Sequence, residues 1–403
     1  YGSTASTVLG FAQKDGSTGT GGIEQYYNED LIGNNGREYG YLNDDSNLER
    51  VIKPAANGNT VVSTLDLNIQ NVVEKYIDQW QAGTGSQQAA VIVMDPDNGE
   101  VLAMAATNRY DLNNPRDLSA YYTEEEIASM DTEAQMEAWN KMWRNFCVSD
   151  TYEPGSTQKV FTVAAALEEG LSNGFEYHDC GGFKEVGGWR IRCVARNGHG
   201  PLTVEEGIMK SCNIVMMDLA AQMGRDRFSH YQELFGFGSR TGIDLPGEAD
   251  TKNLVYSVDR MGPTELATNS FGQNYNCTMI QMASAYCSIV NGGSYYEPHV
   301  VRQIVNEQGA VVRKIEPKLV RETVSKSTSD YLKNALFKTV DSGTGSAAAV
   351  TGYQVGGKTG TAEKLPRSAR NYVVSFAGYA PVENPEVVVY VVIDTPNLPG
   401  TEQ

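Results

Sequence analysis

Tyr152-Glu153-Pro154-Gly155-Ser156-Thr157-Gln158-Lys159-Val160-Phe161-Thr162-Val163-Ala164-Ala165-Ala166-Leu167 is the most informative stretch of this 403-residue chain. Pro154-Gly155 turns the backbone, and the run from Val160 to Leu167 is apolar nearly throughout, the pattern of a helix buried on every side. Ser156 heads that helix, so its hydroxyl sits at the positive end of the helix dipole, where an oxyanion is favoured. Lys159 follows at i+3 on the same face, with Cβ atoms roughly 5 to 6 Å apart. Once desolvated, such a lysine prefers its neutral form and can act as a general base toward the serine. Alone, the pair also describes an N-cap serine beside a solvent-facing lysine, and an SxxK pattern arises about once or twice by chance in a chain of ordinary composition. The apolar run weighs against that reading, because it leaves Lys159 little route to water.

Working outward, Val61 to Leu65 reads as a short strand, and apolar residues at 69, 72, 73, 76, 77 and 80 mark an amphipathic helix opening at Asp66. Ala89 to Met94 and Val101 to Ala105 form a hairpin across Asp95-Pro96-Asp97-Asn98-Gly99. Residues 107–150 are a polar insertion with an acidic helix from Glu124 to Trp143. Two more strands, Val373 to Tyr379 and Val387 to Ile393, flank a turn at Pro381 to Pro385. Strands thus lie toward both ends of the chain around a largely helical middle, 156–350. That order predicts an α+β fold in which sequence-distant strands form one antiparallel sheet beside a helical lobe. Residues 1–59, rich in Gly, Asn, Asp and Tyr, read as the remnant of an N-terminal pedestal or linker domain, and 60–403 as the main domain.

Two further motifs follow in order. Ser211-Cys212-Asn213 sits at a helix-to-helix corner that can present a hydroxyl and a carboxamide to a cleft, though taken alone it reads as an N-cap. Lys358-Thr359-Gly360-Thr361, preceded by Gly356-Gly357, suits an edge strand that a substrate backbone approaches closely, or simply a glycine-rich turn. The three motifs together are far less probable than any one alone.

The 32 Lys and Arg stand against 50 Asp and Glu, a net charge of −18, which excludes an electrostatic nucleic-acid binder. With 40% hydrophobic and 20% charged residues the chain is ordinary globular material. No stretch reaches the roughly 18 to 20 consecutive apolar residues of a membrane span. The start lacks an initiator Met and a leader pattern and reads as trimmed.

With these motifs the sequence resembles the serine penicillin-binding proteins, and among them the class B peptidoglycan transpeptidases. Tyr152-Glu153-Pro154-Gly155-Ser156-Thr157, Gly242-Ile243-Asp244-Leu245-Pro246-Gly247-Glu248, Phe271-Gly272-Gln273 and Asn291-Gly292-Gly293 extend the likeness over about 60–395. The resemblance implies a β-lactamase/transpeptidase-like fold, with a five-stranded antiparallel sheet flanked by helices and an all-helical lobe. It implies Ser156 as nucleophile on a stem peptide, Lys159 as its base, and Ser211 with Lys358 as a proton relay to the leaving D-alanine. Asn213 would hold the substrate amide, and Thr359, Gly360 and Thr361 would bind substrate along the strand, the two threonines taking its terminal carboxylate. The backbone N–H groups of Ser156 and Thr361 would form the oxyanion hole. It further implies acylation by β-lactam antibiotics, peptidoglycan stem peptides as substrates, membrane-anchored cell-wall synthesis proteins as partners, and a catalytic domain on the outer face of a bacterial cell membrane. The rival readings are a serine β-lactamase, a D,D-carboxypeptidase and a non-catalytic penicillin-sensing domain.

A glycine-rich ribbon between the first two motifs carries Cys180, Cys193 and His199, and Cys212 lies inside the second motif, with 12, 5 and 12 residues between successive members. Such a ribbon has few apolar side chains to hold it, and a structural Cys₃His zinc site would clamp it. A Cys180–Cys193 disulfide or buried free thiols are the alternatives, and Asp179 or His178 could replace Cys212 as fourth ligand. Cys277, Cys287, Met279 and Met282 read as core.

Overall fold

The computed structural model describes residues 2–14, 16–42 and 48–398. The last residues of the expected main domain, 399–403, lie outside them. Asp66 caps helix α1 (Leu67–Gly83), its carboxylate accepting from the backbone N–H groups of Asn68 and Ile69 at 2.8 and 3.1 Å. Strands β1 (Ser86–Met94) and β2 (Val101–Ala106) form the expected hairpin. Helices α2 (Lys159–Glu168), α3 (Asn213–Leu234, interrupted at Gly224), α4 (Met279–Val290) and α5 (Lys326–Ser342) follow. The chain then returns through β3 (Gly356–Glu363), β4 (Tyr372–Ala380) and β5 (Val387–Pro396).

The five strands make one antiparallel sheet in the order β3-β4-β5-β1-β2, so residues nearly 300 apart in sequence are neighbours. Both faces are covered, which is why the strands read as nearly continuous apolar runs. Ala89, Val93, Ala103 and Ala105 pack under Val73 and Ile77 of α1. Ala90, Ile92, Met94, Val388, Tyr390 and Val392 point the other way into the main core, with Phe161, Val163 and the buried residues of α4. Alternate residues of one strand thus serve two cores, as the period of two dictates.

Three features differ from the sequence expectation. The acidic helix is two helices, Glu124–Ser129 and Thr132–Trp143, because the Asp131 side chain caps a new start by accepting from Ala134 N. The middle of the chain is a helical lobe with short ribbons attached: Tyr177–Cys180 pairs with Gly200–Thr203, and Phe183–Val186 with Trp189–Arg192. Four-residue strands rich in Gly and charge carry too little alternation to be read from sequence. Finally, the N-terminal residues divide in two. Ala5, Val8, Ile23 and Tyr27 are buried in the main core, and the Tyr27 hydroxyl donates to Asp244 at 2.7 Å. The hairpin of Arg37–Leu42 with Leu48–Lys53 stands almost wholly exposed.

Candidate active site

Ser156 lies in a 3₁₀ turn, Gly155–Gln158, that runs directly into α2. The turn is held from two sides by backbone. Gly155 N donates to Gly272 O at 2.9 Å, and Gly155 itself has φ +60° and packs against β3. A Cβ at position 155 would lie 2.6 Å from the Thr361 carbonyl oxygen, and one at Gly360 would lie 2.3 Å from Ser375 Oγ and 3.0 Å from the Pro154 carbonyl. These glycines let the edge strand and the Ser156 turn approach each other. Gly155→Ala costs about 1 to 2 kcal/mol from left-handed backbone alone. Its clash drives the turn away from β3, so we expect penicillin acylation to slow at least about tenfold. Acylation kinetics beside a thermal melt check this, and wild-type kinetics would refute it.

The second motif is a strained corner. Ser211, between the helix Val204–Met209 and α3, has φ +55°, unusual for a residue with a side chain and typical of functional sites. It receives both lysines. Lys159 Nζ donates to Ser211 Oγ at 2.9 Å and to its carbonyl at 2.6 Å, while Lys358 Nζ donates to Ser211 Oγ at 3.0 Å and to Thr359 O at 2.9 Å. Both lysines are fully buried. Burial lowers Lys159 to about 8, against the opposing pull of the Cys193 and Cys212 sulfurs. Burial, and then the charge of Lys159, hold Lys358 well below the ordinary lysine range. No ion pair compensates either one among the described residues, so each amine gives up its proton more readily than a lysine in water. Lys159, three residues on from Ser156, therefore hydrogen-bonds the middle motif, and Ser211 links the two amines in one chain of hydrogen bonds.

The other expected residues fall around this chain. Asn213 opens α3 and its Nδ2 donates to the backbone carbonyl of Arg192 at 3.0 Å. Thr359, Gly360 and Thr361 follow Lys358 along edge strand β3, where Thr361 is exposed and Thr359 contacts Thr344 through its hydroxyl at 3.4 Å. No carboxylate hydrogen-bonds Ser156, Lys159, Ser211 or Lys358 among the described residues. Sequence reading assigned no part to the Arg192 carbonyl or to Gly272; the glycine of Phe271-Gly272-Gln273 was the available signal.

Cys180, Cys193, His199 and Cys212 come together, their four donor atoms all within 4.8 Å of one another, in a group that could hold a metal ion. Cys193 Sγ lies 3.8 Å from Cys212 Sγ and 3.6 Å from His199 Nδ1. All six cysteines are free thiols. The hydrogen bond between the two thiols lowers Cys193 far below an ordinary thiol and raises Cys212. The alternative ligands stand elsewhere: His178 Nδ1 pairs with Asp218 at 3.0 Å, and Asp179 is exposed on its strand. Cys277, Cys287, Met279 and Met282 are core, all at most 4% exposed.

Residues 89–403 match the family model of the penicillin binding protein transpeptidase domain. The chain is 36% identical over its whole length to stage V sporulation protein D of Bacillus subtilis, of which it spans 60%, and 31% identical over 98% of its length to a probable peptidoglycan D,D-transpeptidase, PenA, of Neisseria gonorrhoeae, of which it spans 63%. The crystal structure of penicillin-binding protein 3 from Mycobacterium tuberculosis superposes with a TM-score of 0.82 at 30% identity, covering 98% of this chain and 84% of that one. That mycobacterial protein is also known in complex with aztreonam and with ampicillin. The sheet with its helical lobe is the fold of these neighbours, and the chain belongs to the penicillin-binding protein transpeptidase family, in its class B branch.

Proposed function

We propose that this chain carries the catalytic domain of a serine D,D-transpeptidase that cross-links peptidoglycan stem peptides and is acylated by β-lactams. The observation that carries the reading is the pair of buried amines, Lys159 and Lys358, on the Ser211 hydroxyl, with Lys159 opening the helix that continues from the Ser156 turn. Neutral Lys159 takes the Ser156 proton as Oγ attacks the penultimate D-alanine carbonyl. The backbone N–H groups of Ser156 and Thr361 stabilise the oxyanion, and a proton passed through Ser211 leaves with the departing D-alanine. An amine from a second stem peptide then attacks the ester, restoring the Ser156 hydroxyl and forming the cross-link. Asn213 holds the donor's amide, and Thr359 and Thr361 hold its terminal carboxylate, with Gly360 giving the strand close approach. A β-lactamase of this kind needs a carboxylate to activate water, and among the described residues none hydrogen-bonds Ser156, Lys159, Ser211 or Lys358, which favours slow hydrolysis. A single adduct from benzylpenicillin that persists for many minutes by intact mass is expected; rapid loss with penicillin consumed would make the protein a β-lactamase.

The value near 8 for Lys159 sets the pH dependence. The base works unprotonated, so acylation rises about tenfold per pH unit below 8 and levels above it. A rate profile flat from about pH 6 to 9 would remove Lys159 as the base.

Zinc is the metal the Cys/His cluster fits. Tetrahedral Zn–S and Zn–N bonds place two sulfurs about 3.8 Å apart and a sulfur and nitrogen about 3.6 Å apart, the spacings of Cys193 with Cys212 and with His199. Bound there, zinc would tie the loops bearing Cys180, Cys193 and His199 to Cys212, beside Ser211 and Asn213. We also read residues 1–59 as the end of a pedestal domain and 60–403 as the transpeptidase domain. No helix among the described residues is long and apolar enough to cross a membrane. A substrate in the cell wall places the domain on the outer face of the bacterial membrane, with anchored cell-wall synthesis proteins as partners.

A further inference from the structure

In a chain of net charge −18, residues 183–196 hold Lys184, Arg190, Arg192 and Arg196 against the single acid Glu185. They form a two-stranded ribbon and its exit, with Arg192 opposite Phe183 and Arg190 opposite Glu185, so these four side chains share one face. Lys184, on the other face, is neutralised by Asp218. Arg190 lies flat over the Phe183 ring, 3.5 Å from its centroid, which fixes the guanidinium while its edge N–H groups stay in solvent. Arg190, Arg192 and Arg196 are exposed, and none forms an ion pair among the described residues. The backbone of this ribbon meets the cleft directly, because the Arg192 carbonyl takes the Asn213 hydrogen bond.

We propose that this face is the acceptor-peptide surface of the transpeptidase, binding the carboxylates of the incoming stem peptide through Arg190 and Arg192. The inference rests on the proposed function and adds its second substrate. The β3 side of the cleft offers Thr359 and Thr361 to the donor's terminal carboxylate. The ribbon meets the Asn213 side of the cleft through the Arg192 carbonyl, and its cations remain for a second anionic peptide. An acceptor brings carboxylates as well as its amine, and a forked guanidinium held against an aromatic ring suits such a group. The local excess of positive charge on this ribbon, in a chain of net charge −18, would steer the acceptor toward the acyl-enzyme.

The test compares wild type with the Arg190→Gln/Arg192→Gln variant in transfer from a thioester acyl donor. Two acceptors are used: a stem peptide with free carboxylates, and the same peptide with its carboxylates amidated. For the anionic acceptor, KM is expected to rise about five- to tenfold in the variant, as loss of two exposed charge pairs implies. Added salt should raise wild-type KM for that acceptor and leave the variant's nearly constant. For the amidated acceptor the two proteins should agree. Equal KM for the anionic acceptor in both proteins, or an equal loss with both acceptors, overturns the proposal. Wild type that forms a benzylpenicillin adduct yet transfers to neither acceptor sinks the transpeptidase reading, and this inference with it; no adduct at all sinks the nucleophile assignment.

Discussion

Ser156→Ala protein held with excess benzylpenicillin is expected to keep its unmodified mass while wild type gains one adduct, with acylation falling below detection. Ser156 lies in the turn that runs into α2 and that β3 faces through the contact of Gly155 with Thr361, and the neighbouring Thr157 hydroxyl is buried and committed to the Pro154 carbonyl at 2.8 Å. Ser211 cannot replace it. Its Oγ already accepts from two buried amines, and its backbone is locked at φ +55°. An adduct that maps to any other residue in the variant would reassign the nucleophile. Lys159→Met keeps the serine and much of the side-chain volume but removes the base. Acylation should fall about 10² to 10⁴-fold, the range for a lost general base, and the rise with pH near 8 should vanish with it. Retention of that pH limb in the variant would move the titration to Lys358 or to substrate.

The second large effect concerns the metal. Protein kept away from chelators and metal-affinity resin should contain about one zinc per chain, and metal analysis giving well under half an equivalent would refute the site. Cys193→Ser should lose the metal, because Cys193 is within 3.8 Å of Cys212 and 3.6 Å of His199 and stands between them. Three buried thiols and an imidazole that have no metal must instead share protons, and the loops they hold have little core of their own. We expect limited proteolysis to cut metal-free protein within 181–198 first. Acylation should fall as well, by about 10²-fold, since a misplacement near 1 Å at a catalytic corner costs that much. Cleavage elsewhere in the metal-free protein, with normal acylation, would leave the cluster as three buried thiols and a half-buried imidazole without influence on the site.

Much of this was legible in residues. Alternating burial of Ala89 to Met94 against two cores follows from a strand apolar at every position, and the Asn-Gly turn joins β1 to β2 by local chemistry alone. Pro154-Gly155 and the apolar run that follows determine the turn and α2, and the glycine-rich ribbon bearing Cys180, Cys193 and His199 pointed to the cluster, whose fourth member, Cys212, only the tertiary structure chose over Asp179 or His178. Other features depend on partners far away in sequence. Periodicity could not show that Ala5, Val8 and Tyr27 pack into the main core, because short polar segments acquire a face only from what they meet. Spacing on one helix face pointed Lys159 at Ser156, whereas its hydrogen bonds go to Ser211, 52 residues on. The depressed basicity of Lys159 and Lys358 is likewise not a property of either residue. It arises because packing removes both amines from water with no carboxylate to compensate. Sequence determined the Ser156 turn, the long apolar strands and the identity of the chemical groups, since those depend on neighbours a few residues away. Tertiary structure alone brought β3 against that turn, put two uncompensated amines on one strained serine, and set a basic ribbon beside the cleft of an acidic protein, since burial and charge balance depend on every element packed around them.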